Sequence, residues 1–386
     1  RDAAMHVLIS SLGRQHWLAE LLSKVEGVQV SAFHASAVDL GGFGNSLPPP
    51  DRPLSYDLYT APVWPRRPYP YSLYVRGVAE VLGAVRPDII YQVGEPSELN
   101  AAQVMAAAAR VCPQAMRMVF SFENLRRDWT GFPRCLRGWA ERRTIPRLDM
   151  VVACTHTARE AWKLHGFDPA RIRVVYSGAD PERFCHRDAT SLRHSLDADD
   201  GFLVGYIGRL AHEKGVDVLL SALARLPESF KLTLVGSGPL EADLKRLIGE
   251  CGLEHRVHHV GRVPRDQVAE YLSAFDALVL PSRSIPVWRE QFGMVLAEAM
   301  LCETPVVGSS CGAIPEVIGD AGLVFPENDV DALAERLLRL ADDGDLRREL
   351  ARRGLERTRR EFTTHAHVQK LVICFREALM AESGHR

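Results

Sequence analysis

No apolar run among the 386 residues approaches the roughly 20 consecutive positions that span a bilayer, so a membrane-crossing helix is not expected. No Cys-x-x-Cys pair occurs either. The eight cysteines, at 112, 135, 154, 185, 251, 302, 311 and 374, are scattered. That pattern fits reduced, mostly buried thiols in a cytoplasmic protein and argues against a disulfide framework. His255, His258 and His259 cluster, but no cysteine lies at finger spacing from them, so zinc is not expected there. A one-signed charge excess is also missing. The 47 basic and 49 acidic side chains leave −2, which excludes the broad basic field of a nucleic-acid binder. No strongly basic amphipathic helix stands out, so membrane contact is expected to be peripheral at most. Residues 5–9 form a strand-like run without the charged flank and long apolar core of a secretory signal. The chain starts at Arg1, which leaves the native N-terminus open.

What is present is a globular composition, 46% hydrophobic and 25% charged, in a chain long enough for two domains. Strand-like runs at 6–10, 28–33, 88–93, 118–122 and 150–154 alternate with helical patterns such as 99–111 and 157–165. After a polar break at 197–201 the alternation starts afresh. Strands are expected at 202–207, 231–235, 257–260, 277–280 and 305–307. Helices are expected at 217–225, 241–249, 265–274, 294–301 and 331–340. Two successive sets of this kind predict an α/β protein of two doubly wound halves. Residues 47–70 carry Pro48, Pro49, Pro50, Pro53, Pro62, Pro65, Pro68 and Pro70, which rules out helix or central strand. The segment reads as an irregular loop, either bordering an acceptor pocket or forming a surface insertion. A last helix over 364–379 places Val368, Leu371, Val372, Phe375 and Leu379 on one stripe, so it should dock rather than fray.

The segment 290–298 carries the strongest chemical signal. Glu290 and Glu298 bracket Gln291-Phe292-Gly293 and the start of an apolar helix. Glu290 falls in the loop at a strand's carboxyl end, where open α/β sheets bind ligands. Gly293 lets a backbone approach a ligand, and the helix behind it presents free N–H groups to an anion. Alone, the pair reads equally as two surface glutamates on an amphipathic helix. Gly208-Arg209 and Lys214-Gly215 follow an earlier strand, and their cations suit a diphosphate whose charge grows as it leaves. They also read as ordinary loop charges. Val235-Gly236-Ser237-Gly238-Pro239 makes a third turn, but it lacks the final glycine of a dinucleotide fingerprint.

Taken in order, these segments resemble family 4 retaining glycosyltransferases of the GT-B fold. Further matches are Gly261-Arg262-Val263, Pro305-Val306-Val307-Gly308 and Gly319-Asp320-Ala321-Gly322. The likeness covers about 160 residues, with looser agreement through Ser121-Phe122-Glu123-Asn124. It implies two Rossmann-like domains facing a central cleft. Residues 1–182 would bind the acceptor, 183–361 the nucleotide sugar, and 362–386 would cross back to the first domain. Arg209 and Lys214 would hold the donor diphosphate, Glu290 the sugar hydroxyls and Glu298 the ribose. Backbone groups of Gly208, Phe292, Gly293, Met294 and Val295 would line the phosphates and ribose, while Gly236 and Val263 would frame the base. The resemblance further implies a hydroxyl acceptor (a small aglycone, a saccharide or a lipid), a uridine diphosphate sugar as the commonest donor, and no cofactor or metal.

The match has gaps. Relatives carry a glycine pair after the first strand, and here only Gly13 stands there. They carry a first-domain histidine where this chain reads Glu123 and Asn124, which replace it as sugar contacts or cap the strand end. Asp197-Ala198-Asp199 and Asp329-Val330-Asp331 look like metal motifs but fall in a linker and at a helix start. Rival readings are a sugar phosphorylase or nucleotide-sugar epimerase on the same fold, or a nucleotide-binding protein without turnover.

Overall fold

Buried strands alternate with helices throughout the computed structural model, which describes residues 4–13, 15–37 and 53–383. The chain divides into two units, Arg1–Val175 with Val368–Arg386, and Tyr176–His367.

The first unit contains strands β1 (Met5–Ser11), β2 (Val28–Ala35), β3 (Asp57–Ala61), β4 (Val63–Trp64), β5 (Leu73–Tyr74), β6 (Ile89–Val93), β7 (Met116–Ser121), β8 (Met150–Ala153) and β9 (Ile172–Val174). Its helices are α1 (His16–Ser23), α2 (Val78–Val85), α3 (Leu99–Val111), α4 (Arg134–Thr144) and α5 (His156–Leu164). Seven strands form a parallel sheet in the order β3-β2-β1-β6-β7-β8-β9, and β4 pairs antiparallel with β5. Parallel sheets are covered on both faces, so β1 shows no apolar–polar alternation and keeps only His6 partly exposed. The strand order reverses between β1 and β6, which sets the ligand-binding edge of this unit.

The proline-rich segment differs from expectation. Residues 47–52 lie outside the described residues, and the remainder is not a single irregular loop. Residues 57–61 form β3, a parallel edge strand in register with β2 from Ser31↔Asp57 to Ala35↔Ala61. The physical reason is local: no proline occurs from Leu54 to Ala61, and Tyr59 and Thr60 suit a strand. An edge position then tolerates Pro62 directly after it.

The second unit comprises α6 (Thr190–Ser195), β10 (Phe202–Ile207), α7 (Val216–Leu223), β11 (Phe230–Val235), α8 (Glu241–Glu250), β12 (Val257–Gly261), α9 (Val268–Ala274), β13 (Ala277–Leu280), α10 (Met294–Leu301), β14 (Val306–Ser309), α11 (Ile314–Ile318), β15 (Gly322–Phe325), α12 (Val330–Asp342) and α13 (Gly344–Glu361). Its six parallel strands run β12-β11-β10-β13-β14-β15, reversing between β10 and β13. Glycine stands at 205 inside β10 because a β-carbon there would lie 1.9 Å from the Phe275 ring.

The units divide at 175/176 rather than at 182/183. The backbone explains the shift: Ala179 N–H donates to the Phe362 carbonyl at 2.7 Å, and Thr364 N–H donates to the Ala179 carbonyl at 3.0 Å. Tyr176 adds an edge contact to Phe362, 5.0 Å between ring centres. The segments on either side of both expected boundaries are thereby tied into the second unit. Helix α14 (Thr364–Ser383) begins there, and from Val368 onward it belongs to the first. Its stripe is buried at Val368, Leu371, Val372 and Phe375, with Phe375 edge-on to Tyr91 at 5.2 Å, while Leu379 is half-buried. The terminus docks as the periodicity predicted.

Candidate donor and acceptor sites

In the second unit three loops meet at the carboxyl edge of β10, β11 and β13. After β10, Gly208 N–H donates to the Val235 carbonyl at 3.0 Å, and the buried Tyr206 hydroxyl donates to the Arg209 carbonyl at 2.7 Å. The loop closes in a short 3₁₀ turn, His212–Lys214, and Gly215 starts α7 with φ +64°. A β-carbon on Gly215 would sit 2.0 Å from the Pro281 carbonyl oxygen, because the loops after β10 and β13 touch there. The β11 loop is as close on the other side: a β-carbon on Gly236 would lie 1.9 Å from the Gly208 carbonyl oxygen. Glycine is therefore demanded by neighbouring backbone at both contacts.

That close packing brings the expected side chains together. Lys214 Nζ donates to Glu290 Oε2 at 2.7 Å, and Ser282 Oγ donates to the same oxygen at 2.8 Å. The ammonium also lies 4.6 Å from the centre of the Trp288 ring. The Glu290 carbonyl accepts from Ala313 N–H at 3.0 Å, so the buried carboxylate is fixed through its backbone as well. Arg209 has 60% of its side chain exposed, with Glu213 3.9 Å away. Gly293, at φ +79°, opens α10, and Met294 and Val295 behind it are half-buried.

Glu298 is buried, and Arg265 Nη2 donates to its Oε1 at 2.8 Å. Burial raises its carboxyl above the usual range, opposed by Arg265 and Arg183. Arg265 was missed by the sequence reading, which placed it inside a helix. Helix α9 starts only at Val268, after Pro264, and leaves Arg265 in the loop. Val263 is half-buried beside Arg262, whose Nε donates to Ser237 Oγ at 2.7 Å. The Phe292 ring is 1% exposed and packs against Tyr176 and Phe362, which leaves only its backbone for a ligand.

The first unit gathers a second polar group at the ends of β6 and β7. Glu123 and Asn124 are both buried there, and Gly13 is half-buried at the end of β1. Glu123 Oε1 lies 3.0 Å from Arg127 Nε. Two carboxylates not singled out by sequence join it. Glu95 accepts from Ser121 Oγ at 2.5 Å and from Phe122 N–H at 2.8 Å, while Glu98 accepts from Asn100 Nδ2 at 3.3 Å. Burial pushes Glu95 and Glu123 up to about 7 each, with the Glu98 charge adding to the rise at Glu95 and the Glu95 charge to that at Glu123. The available signal was the string Gly94-Glu95-Pro96-Ser97-Glu98 directly after an apolar strand.

Both metal-like motifs have local employment. Asp199 pairs with His194 at 2.7 Å, Asp329 caps α12 by accepting from Ala332 N–H at 2.9 Å, and Asp331 pairs with Arg225.

Two parallel-sheet α/β units with a polar site at each carboxyl edge define the GT-B class. The model of Glycosyltransferase Family 4 matches residues 18–183, and that of Glycosyl transferases group 1 matches residues 188–357. The chain belongs to the family 4 glycosyltransferases. Over 248 residues it is 30% identical to the alpha-D-kanosaminyltransferase of Streptomyces kanamyceticus, 62% of this chain and 63% of that one. Over 210 residues it is 33% identical to the D-inositol 3-phosphate glycosyltransferase of Mycolicibacterium gilvum, 52% of this chain and 46% of that one. The chain thus matches from under half to somewhat under two thirds of the length of these curated relatives. HepE of Anabaena, solved in complex with UDP, shares the fold with a TM-score of 0.73 at 19% identity, over 97% of this chain and all of that one.

Proposed function

We propose that this chain is a retaining glycosyltransferase, moving a sugar from a nucleotide diphosphate donor, with uridine diphosphate sugars foremost, to a hydroxyl acceptor. The observation that carries the reading is the Lys214–Glu290 pair at the β10/β13 reversal, with the exposed Arg209 beside it. Arg209 and Lys214 receive the diphosphate, and N–H groups at the start of α10 add to that field. Glu290 accepts from sugar hydroxyls, and Glu298 accepts from the ribose. In the reaction the bond from the anomeric carbon to the phosphate oxygen breaks while the acceptor oxygen bonds to that carbon on the same face. The acceptor proton passes to the departing phosphate. The two cations matter most at that moment, when charge on the leaving group peaks.

The acceptor is assigned to the first unit's edge at Glu95, Glu123 and Asn124, whose buried oxygens suit hydroxyl recognition. No metal or cofactor is given a role, since Arg209 and Lys214 supply the positive charge. All eight cysteines are free, which supports the cytoplasmic placement.

The test is thermal unfolding against a panel of nucleotides and nucleotide sugars, followed by product analysis by NMR. The true donor should raise the unfolding temperature by mass action and yield a product of unchanged anomeric configuration. Stabilisation by no nucleotide would sink the donor site. An inverted product would sink retention alone.

A further inference from the structure

Helix α4 carries an exposed face whose residues have no part in the proposed transfer reaction. Its outward arc holds Cys135, Leu136, Trp139, Arg142 and Arg143, and Phe132 extends it just before the first turn. Phe132 is 85% exposed, Trp139 45% and Leu136 37%. Leu136, Trp139 and Arg143 recur at spacings of three and four, which stacks them along one side of the helix, and Phe132 lies in the turn that leads into it. Arg143 lies over the Trp139 ring at 5.3 Å, and Arg134 is exposed at the helix start. From residue 131 to residue 147 the sole acid is Glu141, and it is taken: Trp129 Nε1 donates to it at 2.7 Å and His165 lies 3.3 Å away. An open cavity of about 690 Å³ adjoins this face, with Arg126, Arg127 and Arg142 in its wall beside Asp128 and Glu141.

Large exposed apolar side chains set among the exposed Arg134, Arg142 and Arg143 are the composition of a helix that lies in a membrane interface. The whole-chain balance of −2 hides it, because α4 is only three turns long.

We propose that the α4 face of the first unit docks on an anionic phospholipid surface. Phe132, Leu136 and Trp139 enter the headgroup boundary, where amphipathic aromatics settle. Arg134, Arg142 and Arg143 meet lipid phosphates. Charge decides against a neutral partner: the patch is cationic while the chain as a whole is slightly acidic, so only an anionic surface is drawn to this side. The inference stands independently of the transfer chemistry.

The test is flotation of the full chain with vesicles of phosphatidylcholine alone or with one-third phosphatidylglycerol. Binding should require phosphatidylglycerol and weaken as salt rises. Arg134→Gln, Arg142→Gln and Arg143→Gln should each cost about fivefold in partitioning. Phe132→Ser with Trp139→Ser should abolish it while the unfolding temperature stays within about 2 °C, since exposed sites away from the core rarely move stability. Should the serine pair unfold, the glutamine set carries the test by itself. Equal binding to both vesicle types, no binding, or unchanged binding by the variants would overturn the proposal. A lipid-free dimer in light scattering that the serine variant breaks would also overturn it, by assigning the face to a second copy of the chain.

Discussion

Lys214 and Glu290 stand 76 positions apart in sequence, yet their side chains meet at 2.7 Å across the two strands where the second sheet reverses order. Each comes from a loop that glycine contacts hold in place. In the proposed reaction one partner would supply charge for the leaving phosphate, and the other would accept hydrogen bonds from the sugar.

Separating those roles gives the first prediction. Glu290→Gln keeps the size and loses the charge. It should lower kcat by about 10²–10³ while changing the donor KM less than about fivefold, as for groups that act on the transition state. Arg209→Ala with Lys214→Ala should remove both transfer and nucleotide-induced stabilisation. Initial rates and thermal shifts read the two effects separately. A parallel loss of kcat and donor affinity in Glu290→Gln would refute the division of labour.

Glycine spacing gives the second. Gly236 has φ +142° and faces the Gly208 carbonyl, whereas Gly252 has φ +65° and nothing within 4 Å of its missing β-carbon. Gly236→Ala therefore meets both strain and a backbone clash and should cost well over about 2 kcal/mol, while Gly252→Ala should cost about 1 kcal/mol. Denaturant titration of the two variants checks the ratio. Equal costs would mean that the β10 and β11 loops are not packed as described.

The third concerns pH. Glu95 and Glu123 are pushed up to about 7 by burial, against about 4.5 in an unfolded chain. Between those values the native state holds more protons than the unfolded state, so this group's stabilising contribution is full below pH 4.5 and declines as pH rises through 7. His367 works in the opposite sense. Burial lowers it to about 4 while its Nδ1–H donates to the Tyr176 carbonyl, so its contribution is lost as pH falls from about 6.5 towards 4. Glu123→Gln should gain on the wild type steadily from pH 5 to pH 8, on the order of 2 kcal/mol by the end. Urea midpoints across that range decide it, and a pH-independent difference would show that the carboxylates do not share a buried site.

The fourth concerns the last helix. Phe375 is fully buried against Tyr91, so Phe375→Ala should cost about 3–5 kcal/mol. Ile373→Ala, on the exposed side of the same helix, should cost under about 0.5 kcal/mol. Unfolding curves for the pair test whether the stripe is core.

Most strands were legible because parallel strands buried on both faces read as unbroken apolar runs, as at Ala277–Leu280 and Met150–Ala153. Edge strand β3 was not legible, since prolines around it outweighed five permissive residues. Helix α4 was missed for a related reason: its mean composition is strongly polar, and only its placement shows which arginines are outward. For the donor site, spacing pointed to Lys214 and Glu290, but nothing in a sequence brings two side chains from distant loops to one oxygen. Arg265 lay beyond reach because its importance comes from the burial of Glu298, which depends on the packed fold, whereas Glu95 carried a readable signal in its turn string directly after an apolar strand.

Helix α14 bears on how the protein is made. The first unit is encoded by two stretches separated by the whole of residues 176–367. During synthesis the ribosome releases Tyr91 and its sheet early, then spends roughly 10–40 s on the intervening residues at ~5–20 residues per second before Phe375 emerges. For that interval the apolar surface that α14 will cover stands open to solvent and to chaperones. A ribosome that stalls within the codons for α14 leaves the earlier-made sheet of the first unit unsealed.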